Sequence, residues 1–329
     1  MRRTFFIVGP TSTGKSELAA DVACEVGAEI VSADAFQIYQ ALDLLTAKPD
    51  ASTLAKVPHH LIGTTPLREE MNAEKYRRAA CRVIDDIHSR GKVAIVVGGS
   101  GLYVKALTHG LAALPEPDAQ LREKLNAMRL DELCAKLIEL DAETARKVDL
   151  KNRRRVVRAV EICLLTGKPA SEQRSRSGGL QSATGAIWRS PLPEKTQTGL
   201  SASQVAGVFV YRDREELYAR INQRVEAMFE NGVIEEVRAA GEASSTALQM
   251  IGFREIRQLL DRRMSISQCV AAIQQATRRY AKRQLTWFRR QTNFSSLNLS
   301  LLTHNEAVKW ILLRMSSERR EVSGVRARE

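Results

Sequence analysis

The apolar positions of this chain change their period along its length. Short β-branched and aromatic runs recur: TFFIVG at 4–9, EIVSAD at 29–34, HLIG at 60–63, VAIVVGG at 93–99 and GVFVYRD at 207–213. These runs are strand-length, and most end at Gly or Asp, so each predicts a strand. Apolar residues at helical spacing fill the intervals. Apolar strands alternating with helices predict a parallel sheet covered on both faces, an α/β fold. Between Pro115 and about Gln204 the alternation stops. Residues 118–167 carry helical periodicity alone, and 170–206 are rich in Ser, Gly and Thr, which predicts a mobile connector. The strand pattern resumes at 207, and from 214 to about Phe288 the chain reads as helix. The expected organisation is an α/β core of 1–114 plus 206–315, a helical insertion with its connector at 115–205, and a frayed tail at 316–329.

Composition narrows the classes. No run of about 18 apolar residues occurs, so no membrane span is expected. The first strand begins almost at the N-terminus, which leaves no room for a signal peptide. The five cysteines (Cys24, Cys81, Cys134, Cys163, Cys269) are scattered and form no C-x-x-C pair. That predicts a reduced, cytoplasmic chain without a disulfide framework or a zinc site. The net charge of +12 points to a polyanionic partner.

The stretch GPTSTGKS places Gly9, Pro10, Thr11, Ser12, Thr13, Gly14, Lys15 and Ser16 between the first strand and a helix. Two glycines five apart followed by Lys and Ser fit the phosphate-loop spacing. Such a loop turns backbone N–H groups around a phosphate, and the helix adds its positive end. The core is therefore expected to be P-loop NTPase-like, with Lys15 on the terminal phosphates and the Ser16 hydroxyl on Mg²⁺. A typical triphosphatase adds a strand ending in a metal-supporting Asp. Here the strongest later strand ends VVGGSG, which weakens the hydrolase reading.

Asp34 ends the second strand, and ligands of open α/β sheets sit beyond the carboxyl ends of strands. It is a candidate general base, with a second-sphere metal role or a helix cap as alternatives. Arg214 and Arg220 follow the fifth strand and suit a diphosphate clamp; the alternative is an ion pair with Glu215 or Glu216. On a helix, TRRYAKRQLTWFRR sets Arg278, Arg289, Lys282, Arg279, Arg290 and Arg283 within an arc of about 140°. Tyr280, Trp287, Gln284, Phe288, Ala281 and Leu285 take the opposite arc, the aromatics as core. A face of cations without acids suits a phosphate backbone. In KNRRRVVRAVEICLL, Arg154 and Arg158 lie one turn apart and form a second candidate basic wall.

Together these motifs resemble the tRNA dimethylallyltransferase family, the isopentenyl-tRNA transferases. The matching stretches are GPTSTGKS (9–16), SAD with Gln37 and Tyr39, TAKP (46–49), PHHLI (58–62), GGSGLYVKAL (98–107), RRRVVRAVEICLLTGKPAS (153–171), REELYARINQRVEAM (214–228), IGFREI (251–256) and ATRRYAKRQLTWFRR (276–290). The resemblance implies transfer of a dimethylallyl group from dimethylallyl diphosphate to the exocyclic amine of the adenosine 3′ of the anticodon. It implies that 9–16 cradles the diphosphate, that Ser16 holds Mg²⁺, that Asp34 is the base and that Arg214 binds diphosphate. Contacts to tRNA are implied for Asp34, Ala35, Phe36, Gln37, Ser100, Arg154, Arg155, Arg158, Gln249, Gly252, Phe253, Arg254, Lys282, Arg283, Gln284, Trp287 and Arg289. A monomer is expected. Departures from the family pattern are Ala35 for a Ser, Gly63 for an Asp, Lys151-Asn152 for Asn-Asp, and no aromatic shortly after Arg290. Two rivals remain: a cytokinin-forming adenylate isopentenyltransferase, and an RNA-binding P-loop ATPase or kinase.

Overall fold

The computed structural model describes residues 4–112, 114–175, 205–291 and 294–325. In chain order the elements are β1 (Thr4–Val8), α1 (Lys15–Val26), β2 (Glu29–Ser32), α2 (Ala51–Lys56), β3 (His59–His60), α3 (Ala73–Ser89), β4 (Ala94–Gly98) and α4 (Gly101–Thr108). Then come α5 (Ala119–Ala127), α6 (Leu130–Leu140), α7 (Ala142–Lys147), α8 (Arg153–Thr166) and α9 (Ala170–Ser175). The chain continues with β5 (Val205–Tyr211), α10 (Arg214–Glu230), α11 (Val233–Ala239), α12 (Phe253–Leu260), α13 (Ile266–Gln291), β6 (Ser295–Asn298) and α14 (His304–Val325).

The strands form one parallel sheet in the order β3-β2-β4-β1-β5-β6. Period-two alternation along β1 splits the core between the two faces. Phe6 and Val8 join Val31, Val96 and Phe209 on one face, beneath α3, α4 and α10 to α13. Phe5 and Ile7 join Ile30, Ile95, Val208 and Val210 on the other, beneath α1 and α14. Both faces are apolar, which is why these strands read as continuous hydrophobic runs. β1 lies between β4 and β5, with Val8 in register with Gly98 and with Phe209. The segments leaving the carboxyl ends of β1, β2 and β4 carry GPTSTGKS, Asp34 and Gly99–Ser100, and strand ends of this kind are where open α/β sheets hold ligands.

The chain divides into two compact units, Met1–His109 with Pro191–Glu329, and Gly110–Ser190. The second unit begins a few residues before the 115 boundary read from the sequence. It has its own core of Leu125, Leu133, Leu137, Val156, Val157 and Val160. Most of the predicted connector, 176–204, lies outside the described residues.

Three elements differ from the expectation. The strand expected at 60–63 is only β3, His59–His60, because Leu61 and Gly63 turn left-handed at φ 62° and 60° and end its pairing with β2. β6 is not expected from the sequence: SSLN is short and polar at all but Leu297, and it becomes a strand by parallel pairing with β5, Val208 to Ser295 through Tyr211 to Asn298. The expected tail from 316 is instead helical to Val325, continuing α14, and residues 326–329 lie outside the described part.

Candidate active site

The turn from β1 into α1 bends through two left-handed residues, Ser12 at φ 64° and Gly14 at φ 89°. Alternation of this kind makes a concave row of N–H groups. Thr13 Oγ1 closes the turn on the Pro10 carbonyl at 3.0 Å, and Lys15 Nζ reaches the same carbonyl at 3.1 Å. Enclosure by the loop lowers the Lys15 ammonium to about 8; Asp34 opposes that shift and Arg224 adds to it. Ser16, at the second position of α1, has no hydrogen-bond partner for its hydroxyl among the described residues.

Asp34 stands just past β2. Its Oδ1 accepts the N–H groups of Phe36 at 3.0 Å and Gln37 at 3.3 Å, so one oxygen caps the turn as the alternative reading had it. The rest of the turn is pinned from outside. Gln37 Nε2 donates to the Ala47 carbonyl at 2.8 Å, and Glu236 accepts Leu44 N–H and Leu45 N–H at 2.8 and 2.9 Å. Ser100 is buried, and its Oγ accepts the Ala35 N–H at 2.8 Å. Burial raises the Tyr280 phenol, and the Asp34 carboxylate raises it further; Tyr280 also bonds Ser100 and Gln284. Asp34 thus lies among Lys15, Arg224, Tyr103 and Tyr280, each of whose ionisation it biases.

Three arginines reach the loop, and two of them were not singled out in the sequence. Arg212 Nε donates to the Thr13 carbonyl at 2.9 Å, Arg220 Nε to the Ser12 carbonyl at 3.0 Å, and Arg224 Nη1 to Thr11 Oγ1 at 2.9 Å. Burial lowers Arg224 to about 10, against the pull of Asp34, and its Nε has no partner among the described residues. Arg214, expected on the diphosphate, is placed elsewhere. It is exposed and lies over the Tyr218 ring at 5.2 Å. Arg220 and Arg224 are one turn apart on α10, whereas Arg214 sits about 120° round the helix from Arg220. The i, i+4 spacing of Arg220 and Arg224 along α10 was the signal available.

The residues expected at tRNA sort into three groups. Lys282, Arg283 and Arg289 are exposed on α13, as are Arg279 and Arg290, and none has a carboxylate partner among the described residues. Arg283 lies over Tyr280 at 5.7 Å and Arg289 over Tyr211 at 5.4 Å. Phe36 and Trp287 are partly buried against the core, Arg254 and Gln249 are exposed, and Arg154 and Arg155 are exposed on α8.

The third group is used inside the fold. Gln284 is buried: its Oε1 accepts Thr11 N–H at 3.0 Å and its Nε2 donates to the Gly99 carbonyl at 2.8 Å. A Cβ at Gly99 would stand 2.3 Å from that Nε2, so the contact needs glycine there. Phe253 is core, and Gly252 is buried at φ 97° to begin α12. Arg158 is drawn to the buried Glu161 at 2.6 Å and to the Pro115 carbonyl at 2.7 Å. These four resemble nucleic-acid contacts by position, but tertiary packing has already engaged them.

Comparison with known proteins agrees with this geometry. The family model described as IPP transferase matches residues 37–291. A tRNA dimethylallyltransferase of Citrifermentans bemidjiense is 42% identical over 289 residues, 87% of this chain and 88% of that protein. One from Akkermansia muciniphila is 39% identical over 288 residues, 88% and 90% of the two chains. The crystal structure of the full-length tRNA isopentenylpyrophosphate transferase of Bacillus halodurans superposes with a TM-score of 0.69 at 29% identity, covering 99% of this chain and 100% of that one. A family match over most of the length, at this identity and with the same fold, establishes that the chain is a member of the IPP transferase family.

Proposed function

We propose that this enzyme transfers the dimethylallyl group of dimethylallyl diphosphate to the exocyclic amine of the adenosine 3′ of the anticodon in tRNA, releasing diphosphate. The observation that carries it is α13. Its buried edge puts Gln284 on the phosphate loop, and its outer face carries Arg279, Lys282, Arg283, Arg289 and Arg290 without carboxylate partners among the described residues. One helix thus joins a diphosphate site to a polyanion face. An adenylate isopentenyltransferase needs only the first; an RNA-binding P-loop ATPase or kinase would share both and is separated by what it does to the γ-phosphate of ATP.

In the reaction a bond forms between the amine nitrogen and C1 of the prenyl group while the C1–O bond to diphosphate breaks. The adenine amine is a weak nucleophile, because its lone pair is delocalised into the ring. It must be held in line and must lose a proton, for which Asp34 has its Oδ2 without a partner among the described residues. Lys15, Arg224 and the loop N–H groups neutralise the charge that develops on the leaving diphosphate. The adenine leaves its stack to reach the pocket.

Mg²⁺ belongs to the proposal. No group of three or more carboxylate, His or Cys ligands occurs among the described residues, which fits a cation held by one hydroxyl, diphosphate oxygens and water. Ser16 is the residue that would hold it, and the ion would add positive charge on the leaving group. The enzyme is further proposed to act as a cytoplasmic monomer. All five cysteines are free thiols, and no described helix is long and apolar enough to cross a membrane.

The test mixes the protein with radiolabelled dimethylallyl diphosphate and either tRNA or AMP, and separately with ATP. Label in tRNA is expected. Label in AMP, or release of phosphate from ATP without prenyl transfer, would replace the proposal with one of its rivals.

A further inference from the structure

The phosphate loop is gripped by two guanidiniums on its carbonyls. Arg212 Nε takes the Thr13 carbonyl at 2.9 Å, and Arg220 Nε takes the Ser12 carbonyl at 3.0 Å. A Cβ on Gly14 would lie 3.6 Å from Arg220 Nη2 and 3.8 Å from Arg212 Nη2, so both groups flank one turn. Arg212 is itself fixed, donating through Nη1 to Glu216 Oε1 at 2.6 Å and to the Leu299 carbonyl at 3.0 Å.

A trans peptide is planar, and its C=O and the following N–H point in opposite directions. Holding the Ser12 carbonyl on Arg220 therefore turns the Thr13 N–H away from Arg220. Holding the Thr13 carbonyl on Arg212 turns the Gly14 N–H away from Arg212. The loop needs such restraint. Ser12 is a non-glycine residue at φ 64°, a conformation that costs about 1–2 kcal/mol and persists only where the surroundings over-determine it.

We propose that Arg212 and Arg220 are positioning residues for the diphosphate site: they hold the Ser12 and Thr13 carbonyls outward, so that the Thr13 and Gly14 N–H groups face the diphosphate. The inference rests on the loop being a diphosphate site and deepens that reading. It assigns the pair a role that depends on the Nε–H donor rather than on the charge.

Donor and charge separate cleanly by substitution. Gln Nε2 stands the same number of bonds from Cα as Arg Nε and keeps a donor without charge. Met places a methyl there, with neither. Titration of inorganic diphosphate into the full-length Arg220→Met protein should show binding weakened roughly five-fold, the worth of one hydrogen bond. Arg220→Gln should stay close to wild type, and Arg212→Gln should bind better than Arg212→Met. Affinity for an anticodon stem-loop and melting temperature should not move for the Arg220 variants, whose side chain is exposed. Equal losses for Gln and Met at Arg220 would mean that the charge acts directly and would overturn the proposal, as would an Arg220→Met protein that binds like wild type. A wild-type protein that fails to bind diphosphate would instead remove the reading of the loop itself.

Discussion

The inserted unit and the phosphate-loop site of the core unit complete their polar groups differently, although the buried Glu29 elsewhere in the core unit is saturated by His60, Arg90 and Lys92. In the inserted unit, Glu161 is fully buried and fully engaged: it takes Arg122 Nε at 2.9 Å, Arg158 Nη1 at 2.6 Å and the Asp118 N–H at 3.0 Å. Asp141 is completed in the same way by the N–H groups of Thr144 and Ser171 at 2.9 and 2.8 Å, and by the Ser171 hydroxyl at 3.0 Å. Around the phosphate loop, half-buried Asp34 caps with one oxygen, and Ser12 Oγ and Arg224 Nε are enclosed without partners among the described residues. Arg279, Lys282, Arg283, Arg289 and Arg290 of α13 are exposed, without acid partners among the described residues. A buried charge saturated by the protein holds a fold together, because removing one partner leaves an uncompensated ion. Polar groups left incomplete around a pocket mark chemistry that a ligand completes.

Substitutions test that contrast, beginning with the largest effect. Asp34→Asn keeps an oxygen for the Phe36 and Gln37 N–H groups but cannot take a proton. Prenyl transfer should fall roughly 10²–10⁴-fold with the melting temperature unchanged. A variant retaining more than about a tenth of the rate would reduce Asp34 to its capping role. Glu161→Ala should do the reverse: by urea unfolding the protein should lose about 3 kcal/mol of stability. An unchanged midpoint would contradict the structural role of the cluster.

The two arginine helices should separate in salt. Lys282→Ala with Arg289→Ala should reduce the slope of log tRNA affinity against log salt by up to about two units, since each phosphate contact contributes about −0.7 to −0.9. Arg158→Ala should lower the melting temperature and leave the slope nearly intact. Equal slopes for wild type and the α13 double variant would remove that face as the RNA contact.

The smallest effect is one of pH. The Lys15 ammonium, lowered to about 8 by burial, loses its charge as pH rises through that value. Diphosphate affinity should therefore be flat below about 8 and fall as pH rises above it, and Lys15→Ala should abolish the bend. For stability the sign is opposite. Between about 8 and its ordinary 10.5 the unfolded chain binds this proton more tightly, so this group makes folding more favourable as pH rises across that window.

What the sequence determined by itself is what depends on neighbours a few residues apart. The runs at 4–9, 29–34, 93–99 and 207–213, the GPTSTGKS turn and most of the outward arc of α13 are local patterns, set by side-chain period and by the φ freedom of glycine. Arg278 of that arc is instead taken up by Asn222. The aromatic arc of α13 was legible as core for the same reason, and Phe288 is buried there. Tertiary structure decided everything that required a partner far along the chain. Which arginine touches the loop depends on how α10 is rotated against it, which brings Arg224 to Thr11 and leaves Arg214 over Tyr218. Gln284 lies within a basic stretch of α13, but a residue 273 positions away claims its carbonyl oxygen. Arg158 reads as half of a basic wall until the buried Glu161 beneath it takes its charge. β6 has too few apolar residues to declare itself and exists because β5 offers an open edge. A side chain's type can be read from the sequence, but whether its hydrogen bonds are already used depends on packing in three dimensions.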